Sequence, residues 1–174
     1  MTTAAVIQAR MGSTRLPGKV LMPVAGRPLL WHIIHRAGQC RHVDRVVVAT
    51  SDDARDDALE TFCGDEGVLC IRGPLLNVLE RYRLAAQATG AQTLVRITGD
   101  APLIDPGLMD FLLQALARDD GDFVQMADGA ACAHEGADAF SRRALDWLTS
   151  NAADDPVARE HVTSWFKRNP GHVK

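Results

Sequence analysis

The sequence lacks any apolar run approaching the roughly 18–20 residues that a helix needs to cross a bilayer. It also lacks the basic stretch and apolar core that mark a secretory signal peptide at an N-terminus. These two absences predict a cytoplasmic protein that has no membrane partner.

An excess of positive charge is missing as well. The chain has 19 Lys and Arg against 22 Asp and Glu, for a net charge of −3. The surface as a whole therefore does not predict binding to nucleic acid, and any anion site must be local. The four cysteines form no C-x-x-C pair, which excludes the common zinc and redox motifs: Cys40, Cys63, Cys70 and Cys132.

Short apolar runs alternate with amphipathic helical patterns along most of the 174 residues, and we expect one domain spanning 1–174. The runs predict strands at 3–8, 45–50, 67–71, 92–98 and 122–127. Helices are expected at 28–37, 53–64, 75–90 and 107–118. A further strand at 137–141 and a helix at 142–150 follow. This alternation predicts an α/β domain with a mostly parallel sheet.

Ligands of such sheets bind outside the carboxyl ends of the strands. This rule predicts that the segments 9–19, 51–53 and 98–105 lie at the same edge of the sheet. The first of them places Arg10, Arg15 and Lys19 within ten residues.

The stretch "QARMGSTRLPGK" at 8–19 contains Arg10, Arg15 and Lys19 but no acidic residue. Arginine forks and free backbone N–H groups at a strand end are suited to phosphate. The same composition also fits a solvated basic turn. On its own, the loop leaves both interpretations open.

Two common nucleotide-binding motifs are excluded here. A P-loop requires four residues between its glycines, whereas Gly12 and Gly18 enclose five. Val20 stands where the P-loop places its magnesium-binding hydroxyl. The dinucleotide-binding pattern G-x-G-x-x-G is also missing from this loop.

Five motifs in chain order carry a closer resemblance: "IQARMGSTRLPGKVL", "VVVATSDDARDDAL", "IRGPLLNVLERY", "VRITGDAPLIDP" and "REHVTSWFKRNP". With them the sequence resembles the cytidylyltransferases that activate acidic sugars, most closely the spore-coat polysaccharide biosynthesis protein F branch. The resemblance implies a Rossmann-like α/β/α sandwich, the nucleotide-diphospho-sugar transferase fold. It also implies transfer of CMP from CTP to an acidic or related sugar, with release of pyrophosphate, for surface polysaccharide. Mg²⁺ is the implied cofactor, and a homodimer the implied assembly.

The resemblance also assigns roles to individual residues. Arg10, Lys19 and Asp100 are the implied catalytic residues, and Asp100 with Asp138 the implied metal ligands. The implied nucleotide-binding residues are Ala9, Arg10, Gly12, Ser13, Thr14, Arg15, Lys19, Arg72 and Thr98. The residues themselves also allow a turn-forming Asp100, a surface ion pair at Arg72 and a surface Asp138.

Two departures from the relatives bear on activity. The segment "EGADAFS" is two residues shorter than its counterpart and has one acid fewer, and relatives continue beyond the position of Lys174. We expect a naturally shortened member, a truncated piece of one, or a homologue that has given up catalysis. Glu160 and His161 match the family without a role that the sequence explains. Two alternatives stay open: a related nucleotidyltransferase or glycosyltransferase using another nucleotide, and a non-catalytic nucleotide-binding partner.

Overall fold

A six-stranded sheet forms the centre of the molecule in a computed structural model that describes residues 1–13, 15–126 and 137–172. A two-stranded sheet lies beside it. The strands are β1 (Thr3–Gln8), β2 (Pro23–Val24), β3 (Arg27–Pro28), β4 (Arg45–Ser51), β5 (Leu69–Gly73), β6 (Thr93–Thr98), β7 (Phe123–Val124) and β8 (Ala137–Ser141).

The order of strands in the large sheet is β5-β4-β1-β6-β8-β7. β5, β4, β1 and β6 are parallel, whereas β8 runs antiparallel to both β6 and β7. The prediction of a mostly parallel sheet is thereby confirmed. Because four neighbouring strands point the same way, the segments that leave them begin at one edge.

Helices cover both faces of this sheet. They are α1 (Leu29–Ala37), α2 (Asp57–Asp65), α3 (Val78–Thr89), α4 (Pro106–Arg118), α5 (Arg142–Asn151), α6 (Pro156–His161) and α7 (Ser164–Arg168). Residues of α1, α2 and α4 pack on one face, and residues of α3, α5, α6 and α7 on the other. This three-layer arrangement confirms the expected α/β/α sandwich. None of the described helices has the length and apolarity to cross a membrane.

Alternation along the central strands explains the two cores. In β1, Ala5 and Ile7 face the α1–α2–α4 layer, while Ala4 and Val6 face the other. All four side chains are fully buried. A strand covered on both faces is mostly apolar along its length, which is why these strands are nearly continuous apolar runs.

Several element boundaries differ from the prediction, and three of the differences have a local reason. β5 begins at Leu69 because Gly67, with φ of 67°, belongs to the turn after α2. α3 begins at Val78 because the Asn77 side chain accepts a hydrogen bond from the N–H of Glu80 and caps the helix. Pro28, expected in the first helical turn, instead pairs within the small sheet.

The junction between β6 and the next segment depends on a residue without a side chain. The N–H of Gly99 donates to the carbonyl of Gln8 at 2.9 Å. A Cβ atom at position 99 would lie 2.8 Å from that oxygen and 3.0 Å from the Cβ of Ala9. Backbone and a neighbouring methyl group thus exclude a larger residue where β1 and β6 end.

We therefore expect Gly99→Ala to lower the free energy of unfolding by about 1–3 kcal/mol, the usual cost of overpacking. Gly64→Ala in α2 is the matched control, because no non-helical atom lies within 4 Å of the added carbon. That substitution should be neutral or stabilising by up to about 1 kcal/mol. Urea unfolding of the two variants measures both effects, and equal stability would contradict the close approach.

Candidate active site

A cavity of about 530 Å³ lies at the sheet edge where β1 and β6 end. Its wall is built by the segment after β1, the end of β6, the start of α3 and the end of α6. Seven expected site residues line it: Ala9, Arg10, Ser13, Arg15, Lys19, Thr98 and Asp100. The structure thus brings segments 9–19 and 98–100 together, while 51–53 contributes no lining residue.

Backbone contacts fix the loop that follows β1. The N–H of Ala9 donates to the carbonyl of Ala49 at 3.2 Å, and that of Gly18 to Met11 at 2.9 Å. Gly18 has φ of 72°, a conformation that favours glycine, as the chain turns into a short 3₁₀ segment. Val20 in that segment is 2% exposed and anchors the loop in the core. The cationic side chains thus project from a loop held at both ends.

Asp56 is a buried carboxylate that ties this loop to the end of β4. Its Oδ1 accepts from the N–H of Met11 at 2.7 Å. Its Oδ2 accepts from the Thr50 hydroxyl at 3.0 Å, from the Ser51 N–H at 3.1 Å and from the Ser51 hydroxyl. Since Asp56 is 1% exposed, these donors take the place of water around its oxygens. Asp56 is not among the site residues predicted from the sequence.

Lys19 and Asp100 form an ion pair inside the cavity wall, with Nζ and Oδ2 2.5 Å apart. Their side chains are 27% and 48% exposed, so the pair remains accessible to a ligand. Partial burial raises the pKa of Asp100, but hydrogen bonds from Lys19 and Thr98 and the Lys19 charge outweigh it. The pKa of Asp100 therefore lies below its ordinary value of 3.8, and the carboxylate is charged near neutral pH.

Arg81 adds a deeply buried cation to the wall. The residue is 2% exposed, and within the described chain its Nε and Nη1 atoms have no hydrogen-bond partner. Burial is the largest cause that lowers the pKa of Arg81, and the charge of Arg10 lowers it further. A buried guanidinium with unused donors is suited to an anionic ligand.

Arg96, in the middle of β6, is a second buried cation at the cavity. It is 7% exposed, and its Nε atom also has no partner among the described residues. Glu160 and His161, at the end of α6, complete this side of the wall. Two residues of the "REHVT" motif therefore lie at the cavity.

Other expected site residues lie elsewhere. The guanidinium of Arg72 pairs with Asp57 and Glu60, each at 2.7 Å, and donates to the carbonyls of Ser51 and Asp53 at 3.0 Å. It does not line the cavity. A nucleotide contact from Arg72 stays a prediction, and it would require these ion pairs to open.

The remaining residues of the expected site are Gly12, Thr14 and Asp138. Gly12 faces the Arg55 side chain rather than the cavity, and Thr14 lies outside the described residues. Asp138 is 4% exposed and has Arg96 at 3.3 Å. Its role as a metal ligand stays a prediction.

Arg81 and Arg96 were missed by the sequence analysis, although each left a signal. Arg96 stands between Val95 and Ile97 in a strand that is otherwise apolar at its centre. Arg81 lies beside Tyr82 on a helix face that is otherwise apolar. Charged residues are rarely buried without a partner, so a lone arginine in a buried pattern indicates a functional site.

Comparison with known proteins agrees with this geometry. The family model for cytidylyltransferases matches residues 4–174, and the chain belongs to this family of nucleotidyltransferases. The spore coat polysaccharide biosynthesis protein SpsF of Bacillus subtilis is 36% identical over 169 residues, 95% of this chain and 70% of that protein. The 3-deoxy-manno-octulosonate cytidylyltransferase of Geobacter sulfurreducens is 37% identical over 118 residues, 68% of this chain and 46% of that enzyme.

Solved structures show the same fold. A cytidylyltransferase from Leptospira borgpetersenii superposes with a TM-score of 0.88 at 30% identity, covering 98% of this chain and 73% of that one. A CMP:2-keto-3-deoxy-manno-octonic acid synthetase, solved in complex with CTP, gives a TM-score of 0.74 at 22% identity. That match covers 99% of this chain and 88% of the synthetase. It supports the fold alone.

The unpartnered charge of Arg81 predicts opposite effects on stability and on binding. Arg81→Met removes a buried cation, so we expect the unliganded protein to gain about 1 kcal/mol or more. Affinity for inorganic tripolyphosphate should fall about tenfold or more, since charge-assisted hydrogen bonds are lost. Thermal unfolding with and without tripolyphosphate measures both effects.

Arg83→Met is the matched control on the same helix, because Arg83 pairs with Glu80 and does not line the cavity. This variant should keep the full stabilisation by tripolyphosphate. An unchanged response in Arg81→Met would show that Arg81 does not bind the anion.

Proposed function

We propose that this protein transfers CMP from CTP to an acidic sugar and releases pyrophosphate. The observation that carries the proposal is the cavity at the carboxyl ends of β1 and β6, where five cations line the wall together with the accessible carboxylate of Asp100. Those cations are Arg10, Arg15, Lys19, Arg81 and Arg96. Membership in the cytidylyltransferase family supports CTP as the nucleotide.

The cations account for the binding of a triphosphate. Arg10, Arg15 and Lys19 extend from the loop after β1, and Arg81 reaches the cavity from α3. We assign backbone and hydroxyl contacts on the same loop to Ala9, Gly12, Ser13 and Thr14. Thr98 is assigned to the nucleoside end, together with Arg72 when its ion pairs open.

The residues present fit a magnesium ion that arrives with the nucleotide. Asp100 offers an accessible, charged carboxylate, the hard oxygen ligand that Mg²⁺ prefers, and phosphate oxygens supply further ligands. No group of three or more His, Cys, Asp or Glu residues in the described chain is arranged to hold a metal unaided. The resemblance to the family implies Asp138 as a second carboxylate, although its two oxygens already face Arg96, Thr163 and Lys167. When bound, the metal polarises the α-phosphate and offsets its negative charge.

In the proposed step, a hydroxyl of the sugar loses its proton to solvent and its oxygen attacks the α-phosphorus of CTP. The bond from the α-phosphorus to the bridging oxygen breaks, and pyrophosphate leaves with the electron pair. Arg10 and Lys19 stabilise the charge that grows on the departing phosphates, because both donate from a fixed loop. The chain contributes mainly orientation and charge, as in other phosphoryl transfers.

The proposal also covers the oligomeric state of the protein and its location in the cell. A homodimer and a cytoplasmic enzyme of surface polysaccharide synthesis follow from the resemblance to the family. The mass of the protein in solution, measured by light scattering, tests the dimer.

Asp100→Asn tests the catalytic proposal. We expect kcat to fall by about 100-fold or more, the usual loss when a charged contact to a transition state is removed. The assay follows pyrophosphate release from CTP, Mg²⁺ and 3-deoxy-manno-octulosonate, with ATP, GTP and UTP run in parallel.

Asp65→Asn, at an exposed position in α2, is the control and should retain wild-type rates. Turnover of a different nucleotide would favour the related nucleotidyltransferase or glycosyltransferase. Binding of CTP without turnover of any acceptor would favour a non-catalytic partner.

A further inference from the structure

The side of the cavity formed by β6 and α6 differs in chemistry from the phosphate side. Arg96 is its buried cation, and Glu160 and His161 line the same cavity. The loop cations come from the segment after β1. This acceptor wall, defined as Arg96, Glu160 and His161, therefore presents one positive group, one carboxylate and one imidazole.

Arg96 is held from behind by a buried network. Its Nη1 atom lies 3.3 Å from Oδ2 of Asp138, the residue directly across from it on the antiparallel strand β8. The Thr163 hydroxyl donates to the same oxygen at 2.7 Å. Nζ of Lys167 lies 3.6 Å from Oδ1, so both oxygens of Asp138 face protein groups.

A backbone turn connects this network with the acceptor wall. Val162 has φ of 50° although it is β-branched and fully buried, a conformation that such residues rarely adopt. The residue before it, His161, lines the cavity, and the residue after it, Thr163, contacts Asp138. The strained turn at Val162 thus separates His161, which lines the cavity, from Thr163, which contacts Asp138.

The charges around Arg96 indicate what kind of ligand it binds. Asp138 already offsets part of the positive charge on Arg96 and Lys167, which leaves capacity for a singly charged group rather than a polyphosphate. Glu160 accepts hydrogen bonds from hydroxyls, and His161 can donate or accept them. One carboxylate surrounded by hydroxyl groups matches this wall.

We infer that Arg96, held in place by Asp138 and Thr163, binds the carboxylate of the sugar acceptor. The inference rests on the proposed function and names the residue that would select an acid over a neutral sugar. Asp138 and Thr163 act as positioning residues, because Asp138 pairs with Arg96 and Thr163 holds Asp138 in place. This assignment gives Asp138 a role other than that of second metal ligand.

The test compares an acid with its uncharged form. Pyrophosphate release is followed with CTP, Mg²⁺ and, in turn, 3-deoxy-manno-octulosonate, N-acetylneuraminate and their methyl esters. We expect kcat/KM for the preferred acid to exceed that for its ester by about 100-fold. The ester lacks the negative charge with which the buried guanidinium would pair. Arg96→Gln should lower this ratio to near 1, with the KM for CTP within about twofold of wild type.

A merely structural role for Arg96 would lower the rates with acid and ester alike, leaving their ratio unchanged and overturning the inference. Because Arg96→Gln also leaves Asp138 with fewer partners, Thr163→Val is the second variant. It removes one hydrogen bond at nearly constant volume. It should raise the KM for the acid about threefold to tenfold, which corresponds to one lost hydrogen bond, without changing the KM for CTP.

Asp138→Asn distinguishes positioning from metal binding. We expect it to raise the KM for the acid while leaving unchanged the Mg²⁺ concentration that gives half-maximal rate. A rise in that concentration would overturn the positioning role. If CTP binds but no acid is used, or if acid and ester are used equally, the carboxylate site is wrong while nucleotide binding stands. Failure to bind CTP at all would instead refute the proposed function.

Discussion

Arg81 and Arg96 place two guanidinium groups at nearly inaccessible positions, where three of their nitrogen atoms find no partner among the described residues. Removing a charge from water is costly unless another charge or a set of hydrogen bonds replaces the water. Their persistence in the cavity wall is explained if the missing partners are supplied by ligands. The two buried charges then destabilise the unliganded protein, and a bound anion offsets that free-energy cost.

The parallel sheet determines where these charges meet. β1 and β6 end side by side, and the contact between Gly99 and Gln8 keeps their carboxyl ends together. Asp56 then joins the loop after β1 to the end of β4 through buried hydrogen bonds. Lys19 and Asp100, 81 residues apart in the chain, become an ion pair as a consequence. The site is thus a product of strand order more than of any local motif.

Much of this fold could be predicted from sequence, because strands covered on both faces are continuous apolar runs. The loop cations and Asp100 could be located too, since they follow strands directly and the rule for parallel sheets groups such positions. Arg81 and Arg96 stand in the sequence as lone charges within apolar patterns, and only packing shows that they are buried with unused donors. A surface position for Asp138 is wrong for the same reason, since the residue is buried among Arg96, Thr163 and Lys167.

The central claim is that the cations around the cavity bind the triphosphate of a nucleotide. A calorimetric titration of the protein with CTP and with CMP, both in the presence of Mg²⁺, tests it most directly. The account predicts that CTP binds about 100-fold or more tightly than CMP, because the β- and γ-phosphates add several charge-assisted contacts. Equal affinities would contradict it, since the cations of the loop and of α3 would then have no part in binding the nucleotide.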